Sequence, residues 1–248
     1  MTRLDAATAP FTEVASWLAA GDGLVVVAFG AHEAHGAHLP LATDAIVADA
    51  VARELANRLG AVLLPTVPYG ASWSTAGYPG GAALGVGTVA AIALDLGRAA
   101  AAAGARAFVI VNGDFGNRGP LAAASDQLTG SVVPALVLDY PGLEGAAAAV
   151  RTSRPAAPGL AHGEEIETSL LLHLAPATVR MDLAEAFYPD FPADFGTKPV
   201  SIDRFSPTAV FGDPTAATAA KGEAIFSAMV EASVHAVREF VATLPPRT

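Results

Sequence analysis

The sequence predicts an α/β fold in which a mostly parallel sheet is covered by helices on both faces. Short apolar runs alternate with longer helical patterns, which is the order that βαβ units require. The chain has 248 residues, of which 52% are apolar, so it suits one large domain spanning residues 1–248. It contains no cysteine, which excludes disulfides and thiolate metal sites.

Four apolar runs predict the strands. The clearest is Leu24–Phe29 (LVVVAF), an unbroken run typical of a buried parallel strand. Thr43 and Asp44 then open a helical pattern. The other predicted strands are 61–67, 108–112 and 132–140, and the predicted helices span about residues 43–59, 87–104, 118–128 and 216–243.

The stretch before the last helix has no periodicity. Residues 187–215 mix aromatics, prolines and charges. Because so long an irregular segment within one domain usually serves function or assembly, we expect a lid or an oligomer contact there.

The charge pattern excludes several classes of partner. The formal net charge is -10, which argues against nucleic acid and anionic membranes but is compatible with a cation-binding cleft. No basic stretch followed by an apolar segment opens the chain, and no apolar stretch of roughly 18 residues is uninterrupted. The expected location is therefore cytoplasmic.

The loop after the first long strand carries residues that metals prefer. Residues 30–44 hold three of the six histidines and two carboxylates, at the strand end where α/β sheets bind ligands. Glu33 and His35 point the same way in an extended segment, and Asp44 returns from the first helical turn. This set suits zinc, manganese or iron. Taken alone, His32 or His38 is better interpreted as a surface or capping residue.

Asp114 lies in a second polar loop at a strand end. Residues 112–117 (NGDFGN) follow the predicted strand, and their glycines allow close backbone approach. Asp114 is either a further metal ligand or a turn aspartate bonded to its own backbone.

A third group of candidates lies where a helix begins near Glu164. Glu167 shares a face with Leu170, and a carboxylate on an apolar face is costly unless it is paired or bound to a metal. His162 is either a proton shuttle or a capping residue. Glu164 and Glu165 occupy the first turn, where the helix dipole favours negative charge.

Together these motifs resemble the creatininase (creatinine amidohydrolase) family. Residues 33–44 are similar to its E-Q-H-G-P-H-L-P...T-D motif, and residues 112–117 to its N-G-H-G-G-N motif. Two later segments resemble its H-A-G-x-x-E-T-S-L-L and G-D-P-x-x-A-T-A elements, namely residues 162–171 and 212–219. The matches keep the family order over about residues 24–240. Within the family, residues 167–180 and 212–230 look closest to the branch acting in mycofactocin maturation, which removes a short peptide from a precursor.

The resemblance implies a three-layer α/β/α domain, usually in a homo-oligomer, with two divalent metal ions that serve to hydrolyse C–N bonds in cyclic or linear amides. By position, Glu33 would hold one metal and His35 the other, with Asp44 bridging them. Asp114 takes the place of a family histidine ligand, and Glu167 would add a carboxylate near the second metal.

The resemblance also implies residues that act on the substrate. His162 matches a family histidine close to the substrate, and with Glu167 it is the candidate for proton transfer. The substrate-binding candidates are Trp73, Ser74, Tyr78 and Phe115. For Trp73 and Tyr78 the alternative is ordinary aromatic packing.

The sequence departs from the family pattern at four positions. His32 replaces a small hydroxyl residue, Ala34 replaces glutamine, and Asp114 replaces histidine. Thr75 stands where a histidine is often found. Aspartate remains a plausible ligand for a hard divalent ion, so these changes leave open which metals bind.

The leading functional hypothesis is a metal-dependent amidohydrolase acting on a small-molecule or short-peptide amide. The four departures motivate an alternative, a diverged member that binds a ligand or partner without hydrolysis. A third possibility is that the same centre carries out amide condensation or ring closure in a specialised pathway.

Overall fold

The central sheet has five parallel strands in the order β1-β3-β2-β4-β5. These come from a computed structural model, which describes residues 3–157, 161–192 and 200–245. The strands are β1 (Leu4–Asp5), β2 (Leu24–Phe29), β3 (Val62–Leu63), β4 (Ala107–Asn112) and β5 (Ala135–Asp139).

Helices cover both faces of this sheet. They are α1 (Phe11–Ala20), α2 (Thr43–Leu59), α3 (Val86–Ala102), α4 (Arg118–Ser131), α5 (Leu143–Val150), α6 (Glu165–Leu174) and α7 (Ala219–Ala242). Alternate residues of β2 point to opposite faces, so Val26 packs in the core with α2, α5, α6 and α7. Val25 packs in the core with α1, α3 and α4. The predicted three-layer α/β/α fold is confirmed.

Several element boundaries differ from the prediction. The strand expected over residues 61–67 is only Val62–Leu63, because Pro65 has no N–H to donate to the ladder. A single bridge between Phe29 and Val67 resumes the pairing beyond it. Strand β1 and helices α1 and α5 were not predicted. Each is short, and α5 is an alanine-rich run of eight residues.

The last helix begins later than expected. Pro214–Ala216 form a 3₁₀ turn, and the Thr218 side chain accepts a hydrogen bond from the Lys221 backbone N–H. Thr218 is thus the N-cap, which is a favoured place for threonine, and α7 starts at Ala219.

One backbone bridge closes the irregular stretch on itself, and another joins it to the segment before α6. Phe187 pairs with Gly212, and Phe211 pairs with His162, both as antiparallel bridges. The described residues of this stretch otherwise form short turns, and residues 193–199 lie outside the described part. The lid or oligomer-contact role stays a prediction.

The strand register sets the position of the functional loops. Phe29 of β2 pairs with Asn112 of β4, and Asn112 pairs with Asp139 of β5, so all three strands end level. The loops that follow them therefore begin side by side at one edge of the sheet. Within the described ranges, no helix has both the length and the apolar character needed to cross a membrane.

Candidate metal centre

The loop from β2 to α2 brings Glu33, His35 and Asp44 together. It turns sharply at Gly30, where an added Cβ would lie 2.4 Å from the Cα of Ala45, so only glycine lets the start of α2 come so close. His35 Nε2 lies 3.1 Å from Asp44 Oδ1 and 3.8 Å from Glu33 Oε1. All three side chains are buried.

His35 is oriented by the backbone of its own loop. Its Nδ1 lies 3.2 Å from the Glu33 carbonyl oxygen, which can only accept a hydrogen bond. Nδ1 therefore carries a proton, and in the neutral ring the Nε2 lone pair faces Asp44. Metal-binding histidines are commonly held in this way.

Asp114 enters the same space from the end of β4. Its Oδ1 accepts a hydrogen bond from the Gly116 backbone N–H at 3.0 Å, which is the turn interaction anticipated from sequence. Its Oδ2 is buried and has no hydrogen-bond partner among the described residues. Asp114 is therefore a turn aspartate that also presents one free oxygen to the site.

Asp44 belongs to two groups of possible metal ligands. One oxygen each from Glu33, Asp44 and Asp114 lie within 4.8 Å of one another. Donor atoms of His35, Asp44 and Glu167 form a second such group. Glu33, His35 and His162 form a third group, so Glu33, His35 and Asp44 each belong to two groups. Overlapping donor sets of this kind offer room for more than one cation.

Helix α6 supplies Glu167, and a glycine in the left-handed region positions it. Gly163 has a φ of +58°, and its backbone N–H donates to Glu167 Oε2 at 2.6 Å. The same oxygen lies 3.7 Å from His35 Nε2. An added Cβ at Gly163 would lie 3.0 Å from both the Ala209 oxygen and the His35 carbonyl carbon, so glycine is required here.

His162 stacks against His35 and is held in one tautomer. The two ring centroids are 4.3 Å apart. His162 Nε2 lies 2.8 Å from the Ala34 carbonyl oxygen, so this nitrogen is the donor and Nδ1 keeps its lone pair. Nδ1 is 4.0 Å from Glu33 Oε1. Burial and the neighbouring His35 lower the pKa of His162 to about 4, which favours the neutral ring.

The crowding of acidic groups shifts their proton affinities. Burial raises the pKa of Glu33, and it raises the pKa of Asp44 well above its ordinary value. Burial and the charge on Glu33 raise the pKa of Asp114 to about 7. Burial alone would lower the pKa of His35, but Asp44 and Glu167 outweigh it and raise that pKa well above its ordinary value.

The donor set fits a divalent cation. Asp44 Oδ2, like Asp114 Oδ2, is buried without a hydrogen-bond partner among the described residues. A buried carboxylate oxygen with no partner is costly, and a cation would supply the missing interaction. Oxygen and imidazole donors together suit zinc, manganese or iron.

Thr75 is a site residue that the sequence reasoning did not assign. Its hydroxyl donates to Glu33 Oε2 at 2.5 Å, and it also lies 2.9 Å from the Ser72 carbonyl oxygen. It occupies the position where the family often has a histidine. The departure from the family motif was the only sequence signal that could have marked it.

A small cavity of about 30 Å³ opens beside Asp44 and Glu167. Its other walls include Phe115, which the sequence analysis had proposed for substrate binding, and Tyr140, which it had not. Leu143 and Leu170 make much of the remaining surface apolar. The volume is enough for about one or two water molecules.

The other proposed substrate-binding residues lie in the turn around residues 73–78. Trp73 is 46% exposed, and the Ser74 carbonyl accepts a hydrogen bond from Ser201 at 3.2 Å. The Tyr78 hydroxyl donates to the Ser206 carbonyl oxygen. Tyr78 is thus used in packing against the segment that follows residue 200, and a substrate role for these three stays a prediction.

The two remaining histidines of the first loop lie apart from the ligand groups. His32 packs its ring on Tyr69, with centroids 5.7 Å apart. His38 is buried, and its Nε2 lies 2.9 Å from the Thr168 hydroxyl. Neither belongs to a ligand group in the described residues.

Two ion pairs anchor the first turn of α6. Glu164 and Glu165 lie at the start of the helix, as predicted, and both are fully buried. Glu164 pairs with Arg151 at 2.5 Å, and Glu165 pairs with Lys221 of α7 at 2.5 Å. Glu165 also accepts hydrogen bonds from the segment that follows Arg151. Neither pair could be predicted from the sequence, because the partners are distant along the chain.

Comparison with known proteins identifies the family to which this chain is related. The family model described as Creatininase: Creatinine amidohydrolase matches residues 8–237. The chain is 35% identical over 225 residues to a mycofactocin precursor peptide peptidase of Mycolicibacterium smegmatis, covering 88% of this chain and 85% of that protein. It is 28% identical over 237 residues to a creatinine amidohydrolase of Pseudomonas putida, covering 90% of this chain and 91% of that protein.

Solved structures show the same fold. A structure described as Creatininase Mn superposes with a TM-score of 0.86 at 26% identity, covering 99% of this chain and 100% of the other. A mutant creatininase of Zn-Zn type gives the same TM-score, identity and coverage. The match of motifs, fold and family model leads to one conclusion: this chain belongs to the creatinine amidohydrolase (creatininase) family.

Proposed function

We propose that this protein is a metal-dependent amidohydrolase that cleaves a C–N bond in a short-peptide or small cyclic amide. The observation that carries the proposal is the overlap of three ligand groups, in which Glu33, His35 and Asp44 each belong to two. A single cation site would not need this arrangement. Membership of the creatininase family supports the reaction class.

The residues divide between two cations in the proposal. Glu33 and Asp114 would hold one divalent ion. His35 and Glu167 would hold the other, and Asp44 would bind both. Ions held in this way would polarise the amide carbonyl and acidify the attacking water. The names of the similar creatininase structures include Mn and Zn, and either ion suits these donors, as does iron.

The protein side chains handle the proton in this reaction. A water oxygen adds to the amide carbonyl carbon, the C–N bond breaks, and a proton from the water ends on the leaving nitrogen. His162 can carry that proton, because its Nδ1 lone pair lies near the ligand groups while Nε2–H is held by Ala34. Glu167 is the second candidate, since its side chain is 20% exposed and the residue lines the cavity.

The relatives suggest the class of substrate. One acts, by its name, on a peptide precursor and another on creatinine, a cyclic amide. The greater identity to the peptidase, 35% against 28%, makes a short peptide amide our first choice. Phe115 lies in the apolar wall of a water-sized cavity, so it would contact only the small group next to the scissile bond.

The test combines elemental analysis with turnover. Protein expressed with zinc, manganese and iron in turn should hold up to two ions per chain and hydrolyse creatinine or peptides from a short synthetic library. Asp44→Ala should lose ions and activity together, while Asp95→Ala, at an exposed position of α3, should lose neither. A metal-free wild-type protein would favour the alternative of a binding protein without hydrolysis. Two ions retained by Asp44→Ala would contradict the assignment of that residue.

A further inference from the structure

Tyr140 has an unusual backbone conformation for its residue type. It follows β5 directly and has a φ of +52°, in the left-handed region that favours glycine. Among the described residues, Ala209 is the only other non-glycine residue with a positive φ. Such strained residues persist where the surroundings enforce them, and they occur often at functional sites.

Neighbouring contacts hold the end of β5 and the Tyr140 ring. Asp139 accepts a hydrogen bond from Asn112 at 3.0 Å and forms an ion pair with Arg118 at 2.7 Å. The Arg118 guanidinium lies 4.1 Å from the Phe115 ring centroid, and that ring packs 5.3 Å from the Tyr140 ring. The β5 end and the following ring are therefore fixed by contacts with β4, α4 and the loop between them.

The Tyr140 side chain lines the cavity beside Asp44 and Glu167. The other hydroxyl in the wall belongs to Thr43, and it is already used because it donates to the Pro40 carbonyl at 2.7 Å. The Tyr140 hydroxyl has no hydrogen-bond partner among the described residues. Apart from Thr43, the other polar side chains of the wall are the carboxylates of Asp44 and Glu167, which accept, so the Tyr140 hydroxyl is the available donor.

We propose that the Tyr140 hydroxyl donates a hydrogen bond to the substrate carbonyl oxygen as that oxygen gains negative charge. This inference rests on the proposed amide hydrolysis and adds a catalytic residue to it. The phenol keeps its proton throughout and acts only as a donor. Burial and the nearby carboxylates, Asp44 first, raise the pKa of Tyr140 well above its ordinary value, which is consistent with that role. A fixed donor aimed at developing charge is a common and effective catalytic device.

The first test is Tyr140→Phe, which keeps the ring and removes only the hydroxyl. On the best substrate found for the wild type, kcat should fall roughly 100-fold while KM changes less than about threefold. Metal content and Tm should stay at wild-type values. Tyr188→Phe is the control, because that hydroxyl bonds to the Arg154 carbonyl away from the cavity, and it should leave kcat unchanged. A kcat of Tyr140→Phe within about threefold of wild type would overturn the proposal.

The second test does not depend on turnover. Methylphosphonate, whose tetrahedral oxygens imitate the charged intermediate, is titrated calorimetrically into metal-loaded wild type, Tyr140→Phe and Tyr188→Phe. We expect Tyr140→Phe alone to bind at least about fivefold more weakly, which corresponds to one lost hydrogen bond. Equal affinity, or no binding by the wild type, would overturn the proposal. Wild-type protein that binds the probe in this pattern but hydrolyses no amide would contradict the proposed function and leave the donor role intact.

Discussion

Thr75 donates a hydrogen bond to the carboxylate of Glu33 across 42 positions of sequence. The bond fixes Oε2 of Glu33, so Oε1 is the oxygen left facing His35 and His162. A neutral hydroxyl here orients an acidic ligand without adding charge to the site.

Replacing Thr75 with valine should weaken metal binding without unfolding the protein. Valine keeps the shape but cannot donate, so Glu33 would lose its orientation, and affinity for one ion should fall about 10- to 100-fold. Competition with a chelator of known affinity measures this. Thr75→Ser is the matched control, because it keeps the hydroxyl and should remain within about threefold of wild type. Equal affinity in the valine variant would show that Thr75 only packs.

Substitutions at Asp114 should separate its two roles. Asp114→Asn can keep the acceptor for the Gly116 N–H but lacks the anionic Oδ2, so it should fold normally and lose affinity for one ion. Asp114→His should keep two ions and shift the preference from manganese towards zinc, because imidazole is the softer donor. Metal analysis after growth in a mixture of metals measures the number of bound ions and their identity in both variants. Unchanged metal content and turnover in the asparagine variant would leave Asp114 as a turn residue alone.

The buried pair between Glu165 and Lys221 should give stability that depends on pH. Burial raises the pKa of Glu165, but hydrogen bonds from Lys221 and Ser153 outweigh it and lower the pKa to about 2. A carboxylate with a lowered folded pKa stabilises the protein above its ordinary value of 4.5, and that contribution is lost as the pH falls towards 2.

Glu165→Gln measures this contribution. At pH 7 the variant should lose about 2 to 4 kcal/mol in the free energy of unfolding, as expected when a buried charged partner is removed. The difference from wild type should shrink as the pH is lowered below about 4. Urea unfolding at several pH values gives both results. Glu231→Gln breaks an exposed pair with Arg58 and should cost less than about 1 kcal/mol at any pH. If Glu165→Gln lowered the free energy of unfolding by the same amount at all pH values, the lowered pKa assigned to Glu165 would be contradicted.

The protein is expected to assemble into a homo-oligomer. The family resemblance suggests it, and exposed apolar side chains such as Tyr69, Trp73 and Val86 leave surface that a second copy could cover. Sedimentation at micromolar concentration should give a mass of at least two chains. A stable monomer across that range would refute the expectation.

The sequence predicted the residues of the candidate site better than it predicted how they are held. Glu33, His35 and Asp44 could be placed together because a strand end and a first helical turn bring near neighbours into contact. The position of the Asp114 loop could be predicted too, because parallel strands place the loops at their carboxyl ends along one edge of the sheet. Predicted boundaries were poorest where a single residue interrupts the pattern, as Pro65 does in β3.

The supporting contacts could not be predicted because they join distant segments. Thr75 reaches Glu33, Arg151 reaches Glu164, and neither pair leaves a local signal in the sequence. The positive φ of Tyr140 is equally invisible, since tyrosine ordinarily continues a strand. Such features depend on packing of the whole domain.

The two ion pairs at the start of α6 also determine how the domain can open. In the sequence, His162 and Glu167 flank Glu164 and Glu165. Fraying that released His162 and Glu167 would therefore have to break the ion pairs with Arg151 and with Lys221 of α7. Local opening there is therefore linked to detachment of the longest helix. Backbone amides of residues 165–168 should exchange with solvent only in large-scale unfolding, whereas those of the turn around Trp73 should exchange through small fluctuations. Substrate access would then depend on the Trp73 side of the site, because opening on the α6 side would require the pairs with Arg151 and Lys221 to break.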